Sequence, residues 1–127
     1  MKKKIITTLN APAPLGPYNQ AVKTGNTLYI SGQIPLIPET MELFSGSIKE
    51  ETELVMNHLN EILEAAEMKL EHVVKTSIFI DDMDNFGKIN DVYGRFFNND
   101  TAPARETVAV KTLPKNVRIE ISMIAVK

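Results

Sequence analysis

Val117-Arg118-Ile119-Glu120-Ile121-Ser122-Met123-Ile124-Ala125-Val126 closes the chain on a period of two, and its two faces differ in kind. The odd positions, Val117, Ile119, Ile121, Met123 and Ala125, are all apolar, as a strand lying under a layer of helices requires. The even positions run Arg118, Glu120, Ser122, Ile124, Val126, polar at one end and apolar at the other. A sheet face open to water would be more evenly polar, so part of this face is expected to be buried against another subunit.

The neighbouring segments extend the pattern upstream. Leu113-Pro114-Lys115-Asn116 turns the chain into the last strand, and residues 105–110 read as the strand before it. Residues 73–80 are β-branched and alternating, which places Val74, Thr76, Ile78 and Ile80 on one side. Between these strands Asp82 can cap a helix carrying Phe86, Ile89, Tyr93, Phe96 and Phe97 on its buried stripe. Gly87 and Gly94 weaken it by about 1 kcal/mol each relative to alanine, so packing must hold it. An earlier helix starts at a capping box, Ser47 with Glu50, and buries Val55, Leu59, Ile62, Leu63 and Ala66. Its stop is less clear, because Glu67 stands where a terminating glycine is usual.

Toward the N-terminus, residues 21–24 and 27–31 flank Gly25-Asn26, a two-residue hairpin signal. A proline-rich loop at 11–17 separates them from a strand at 4–8, and Pro35, Pro38 and Gly46 mark a long loop before the first helix. The order is therefore β-β-β-α-β-α-β-β, with the helices as right-handed crossovers and hairpins joining other neighbours. No composition shift or repeat divides the chain, so residues 1–127 are expected to form a single α+β domain.

Composition narrows the chemistry. With 43% hydrophobic and 24% charged residues, the chain falls in the ordinary globular range. It has no cysteine, which excludes disulfides, thiolate nucleophiles and thiolate zinc sites. Its two histidines, His58 and His72, are too few for a multi-histidine metal centre in one chain, and no metal is expected. A net charge of −2 provides no basic footprint for nucleic acid or an anionic membrane. Lys2, Lys3 and Lys4 precede only Ile5 and Ile6 before Thr7, far short of the roughly 7–15 apolar residues of a signal peptide. A cytoplasmic location is expected.

Phosphate loops, dinucleotide GxGxxG turns, GxSxG elbows and HExxH helices are all missing. Asp81, Asp82 and Asp84 fit helix capping better than metal ligation. His58 flanks an apolar helical stripe and His72 precedes a strand, positions that suit structural roles. Arg105 follows Pro103-Ala104 at the mouth of a strand, where a guanidinium can hold a carboxylate through two parallel hydrogen bonds. Glu120 lies mid-strand on the mixed face, where a carboxylate needs water or a partner. On composition alone both read as surface charges.

Several spaced segments then align with one family. Asn10-Ala11-Pro12, Gly16-Pro17-Tyr18, Ser31-Gly32-Gln33-Ile34-Pro35, Val73-Val74-Lys75-Thr76, Pro103-Ala104-Arg105, Leu113-Pro114-Lys115 and Ile119-Glu120-Ile121 together make the chain resemble the RidA/YjgF enamine/imine deaminases nearly end to end. The resemblance implies a chorismate-mutase-like α+β fold, related to ferredoxin-like folds, with a mixed sheet and two helices on one face. It also implies a homotrimer with pockets between subunits, and hydrolysis of 2-imino acids such as 2-iminobutanoate and 2-iminopropanoate to 2-keto acids and ammonia. No cofactor is implied.

By position, the resemblance makes Arg105 the clamp for the substrate carboxylate and Glu120 the residue that orients or activates water. Tyr18, Ser31, Gly32 and Asn90 would line the pocket, with a main-chain group near Gly32 meeting the imine nitrogen. Thr107 stands where many relatives carry cysteine, keeping a hydroxyl but losing thiol chemistry, and it too would touch substrate. Ala102 replaces a residue that is often aromatic, which bears on substrate size. Imines already hydrolyse in water, so orientation and acid–base help worth roughly 10²–10⁴-fold would suffice. Two other readings remain at this stage: a keto-acid sensor using the Arg105 clamp without turnover, for which Glu120 would be superfluous, and a ribonuclease, which the acidic net charge disfavours.

Overall fold

The computed structural model describes residues 2–127 and forms one six-stranded mixed sheet with two helices packed on it. Strands β1 (Lys4–Ile6), β2 (Ala21–Thr24) and β3 (Thr27–Gln33) precede helix α1 (Ile48–Ala65), which leads to β4 (Val73–Ile80). Helix α2 (Phe86–Tyr93), β5 (Ala104–Ala109) and β6 (Ile119–Val126) complete the order read from the sequence. In space the strands run β1-β2-β3-β6-β4-β5, all antiparallel neighbours except the β4–β5 pair. The last strand in the chain is thus a central strand of the sheet.

That position explains its two faces. Ile119, Ile121, Met123 and Ala125 are no more than 2% exposed and meet α1 from below. From α1, Val55, Met56, Leu59, Ile62 and Leu63 are fully buried against them. Each such side chain contributes roughly 1.5–3 kcal/mol on leaving water. Among the described residues no helix covers the other sheet face, which carries half-exposed Tyr29, Val108 and Val126. Among the described residues no helix is long and apolar enough to cross a membrane.

Both ends of α1 are capped by side chains or loop geometry. Ser47 Oγ accepts from Glu50 N at 3.1 Å, and Glu50 Oε1 accepts from Ser47 N at 2.9 Å, completing the capping box. At the other end Glu67 takes the left-handed position at φ 58° that glycine usually fills. Met68 N then reaches Leu63 O and Glu67 N reaches Glu64 O, both at 2.9 Å, the paired bonds of a Schellman stop. Burial of Met68, 1% exposed, offsets the strain of a non-glycine residue there. The Gly25-Asn26 hairpin forms as expected, with Gly25 taking positive φ.

Four expectations needed correction. No hairpin joins β5 to β6, because β6 pairs with β3 on one side and β4 on the other, which leaves β5 at the sheet edge beside β4 alone. Val74 is 48% exposed and Val73 takes its place in the core, because the β4–β6 register shifts between Val73 and Lys75. The second helix is shorter than its apolar pattern. Asp82 caps a separate 3-10 turn, Met83–Asn85, by accepting from Asp84 N, and Phe96 and Phe97 lie past the helix end. Finally, Val117 belongs to a small cluster with Ile34 and Leu36 rather than to the last strand itself.

Candidate functional site

The site begins with a bulge. Between Ile30 and Gln33, β3 carries one residue more than β6 opposite, which displaces Ser31 and Gly32 from the regular ladder. Glu120 of β6 leans across this gap. A Cβ at position 32 would lie 2.6 Å from Glu120 Oε2, so only glycine leaves the carboxylate its place. Glu120 is half-buried, and that burial alone pushes its carboxyl above the usual carboxylate range.

A cavity of about 490 Å³ opens beside this pair. Tyr18, Ser31, Gly32 and Glu120 all line it, with Leu15, Leu36 and Lys115 among its other walls. The proline-rich loop forms one side. Prolines cannot donate, and the loop's carbonyls would be left unpaired without Gln20, which is 2% exposed. Gln20 Nε2 donates to the carbonyls of Thr8, Ala11 and Pro12, while its Oε1 accepts from Thr8 N at 2.8 Å. Tyr18 Oη accepts from Leu15 N at 3.2 Å, and Ser31 Oγ donates to Asn19 O at 2.6 Å.

His58 holds Leu36, another lining residue of the cavity. Its Nε2 lies 2.7 Å from Leu36 O, and burial holds the ring's pKa below its ordinary value, against the pull of that carbonyl. A neutral ring with Nε2 protonated satisfies this contact. The other histidine, His72, only accepts from Lys69 N through Nδ1 at a loop.

Arg105, Asn90 and Thr107 are elsewhere. Across the β4–β5 ladder Arg105 pairs with Thr76, on the face covered by helices, whereas Glu120 pairs with Phe79 on the opposite face. A whole strand separates them. Arg105 Nη1 donates to Asn90 Oδ1 of α2 at 2.8 Å, and its guanidinium lies over the rings of Tyr93 and Phe86. Thr107, two residues along the same face, has a buried Oγ1 with no partner among the described residues. One chain therefore gathers Tyr18, Ser31, Gly32 and Glu120 on one side, and Arg105, Asn90 and Thr107 on the other.

A family model described as Endoribonuclease L-PSP matches residues 8–127, which covers every one of these positions. The chain belongs to the RidA/YjgF family. A RutC family protein of Pyrococcus horikoshii is 48% identical over 125 residues, covering 98% of each chain. A protein of Dermatophagoides farinae named 2-iminobutanoate/2-iminopropanoate deaminase is 46% identical, over 98% of this chain and 96% of its own. The fold agrees with a crystal structure from Thermotoga maritima at a TM-score of 0.95 and 51% identity, covering 100% of this chain and 98% of that one.

Membership in the RidA/YjgF family does not by itself expose the residues that hold the site in shape. Gln20, His58 and Tyr93 carry no motif of their own. Gln20 could have been suspected from the unpaired carbonyls that any proline-rich loop must present. His58 and Tyr93 look like ordinary stripe residues until the chain folds.

Proposed function

We propose that this RidA/YjgF member hydrolyses small 2-imino acids, consuming one water and releasing the 2-keto acid and ammonia. The observation that supports this most is the Glu120 carboxyl, half-buried over Gly32 in a cavity and raised by burial toward the working range of a general base. In this reading Glu120 takes a proton from the water that attacks the imine carbon. The main chain freed by the bulge at Gly32 meets the imine nitrogen, and Tyr18 and Ser31 line the pocket.

The carboxylate clamp, Arg105, comes from a second copy of the chain, together with Asn90 and Thr107. The opposite faces on which Arg105 and Glu120 stand support this reading, as does the half-apolar face of Tyr29, Val108 and Val126. The assembly proposed is a homotrimer with sites between subunits. Light scattering at micromolar concentration is expected to return about three times the 14.2 kDa chain mass. A clean monomer would break the site as well as the assembly.

The direct test couples the protein to a pyridoxal-phosphate dehydratase acting on threonine and follows keto-acid release. Faster release than in the uncatalysed reaction is expected; release at the uncatalysed rate, with keto-acid binding intact, would favour a sensor. A variant at Gly32 probes the bulge. In Gly32→Ala the new methyl meets only the Glu120 side chain, from Cγ outward, and no backbone, so the fold is expected to survive with its melting temperature nearly unchanged. Imine hydrolysis is expected to fall roughly 10- to 100-fold, because a misplacement of about 1 Å can cost that much. Wild-type turnover in Gly32→Ala would show that the Glu120 position is not critical.

A further inference from the structure

We propose that Tyr93 is a positioning residue: with Phe86 it seats the Arg105 guanidinium on an aromatic face and so aims its free edge at the substrate carboxylate. The inference rests on the reading of Arg105 as the clamp. A guanidinium donates only in its own plane, so a partner under its flat face fixes its tilt while leaving its edges free. Arg105 Cζ lies 4.9 Å from the centroid of the Tyr93 ring and 5.7 Å from that of Phe86. Asn90 Oδ1 takes one donor, Nη1, at 2.8 Å. Phe86, Asn90 and Tyr93 are spaced i, i+4, i+7, so a single face of α2 makes all three contacts.

Tyr93 is itself fixed to the strand that carries the reference. Its ring is 5% exposed and packs on Phe97 with centroids 4.8 Å apart. Its hydroxyl donates to Thr76 Oγ1 at 3.0 Å, and Thr76 is the residue paired with Arg105 across the β4–β5 ladder. Ring and guanidinium are therefore held to the same rung of the sheet. The phenol is neutral near pH 7, and burial pushes its pKa further up, so the ring offers an uncharged π face to the cation.

The test compares Tyr93→Phe, Tyr93→Leu and Phe86→Leu by calorimetry with 2-oxobutanoate, each well below its own melting temperature. Tyr93→Phe loses the Thr76 bond but keeps the ring, and is expected to bind within about twofold of wild type. Tyr93→Leu loses the π face and is expected to bind roughly 3- to 30-fold more weakly. Affinity then follows the aromatic ring rather than stability, which both Tyr93 variants lower. A folded Tyr93→Leu that binds like wild type overturns the proposal, and so does a Tyr93→Phe that loses as much as Tyr93→Leu. If Tyr93→Leu does not fold, Phe86→Leu decides, with at least a twofold loss expected and wild-type affinity overturning the proposal. Arg105→Lys in the same experiment separates the two levels: wild-type affinity there overturns the clamp and this inference with it, whereas a loss there leaves the clamp standing whatever Tyr93 does.

Discussion

In the Glu120→Gln protein, hydrolysis of a 2-imino acid is expected to fall at least ~10²-fold, the lower end for removal of a general base. Glutamine keeps the shape that fits over Gly32 and can still hydrogen-bond, but it cannot accept a proton from water at neutral pH. The pH profile makes the argument sharper. Only the ionised carboxylate can act as the base, and burial raises the Glu120 pKa above the ordinary value of 4.5. The wild-type rate is therefore expected to climb as pH rises through this raised pKa, at a higher pH than a free glutamate would allow. That acid limb is expected to vanish in Glu120→Gln.

Stability runs the other way. A carboxyl whose folded pKa is raised favours the folded state most when protonated, and this advantage is lost as pH rises through the folded pKa. At neutral pH the neutral amide is thus expected to melt at the same temperature as wild type or slightly higher. Activity lost without stability lost is the signature of a residue kept for chemistry. A Glu120→Gln protein that releases keto acid like wild type would remove the general base and leave only a shaping role.

Arg105→Lys is expected to weaken binding of 2-oxobutanoate by about 1.5–3 kcal/mol, the range for hydrogen bonds to charged groups. That corresponds to roughly 10- to 150-fold in affinity. Lysine keeps the charge but has no planar fork to meet both carboxylate oxygens. It also cannot lie flat on Tyr93 and Phe86 while donating to Asn90, as the guanidinium does. Unchanged affinity by calorimetry would take Arg105 out of the site.

Mixing the two defects tests where the clamp comes from. Subunits carrying Arg105→Lys and subunits carrying Glu120→Gln are unfolded together at equal concentration and refolded into mixed assemblies. If each site draws Arg105 and Glu120 from different copies, about one site in four is intact and activity is expected to return to about that fraction. If both residues came from one chain, every site would carry a defect and mixing would restore nothing.

Much of this architecture could be read before folding, and for a physical reason. Strand and helix periods, the Ser47–Glu50 capping box and the Gly25-Asn26 turn are local, set by side-chain alternation and backbone preferences over a few residues. The mixed polar and apolar face of the last strand is likewise local, written in its alternation. What went wrong at Val74 was the assumption of strict alternation, and a single register shift reversed it. The short second helix was missed because apolar spacing continues through Phe96 and Phe97 where the backbone does not. Local patterns carry no information about either.

The sequence named the candidate site as a set of residues, without its arrangement. Resemblance named Arg105, Glu120, Tyr18, Ser31, Gly32, Asn90 and Thr107 together and implied pockets between subunits, without dividing the residues between the two sides. By itself the sequence determined the element order and most of the core faces, and it named the candidate side chains. Tertiary structure alone decided that Glu120 crosses Gly32 at a bulge, that Gln20 and His58 brace the cavity walls, and that β4 stands between Glu120 and Arg105. These are long-range facts, fixed by strand order and register, and strand order depends on packing between segments far apart in the chain rather than on any residue's own preference.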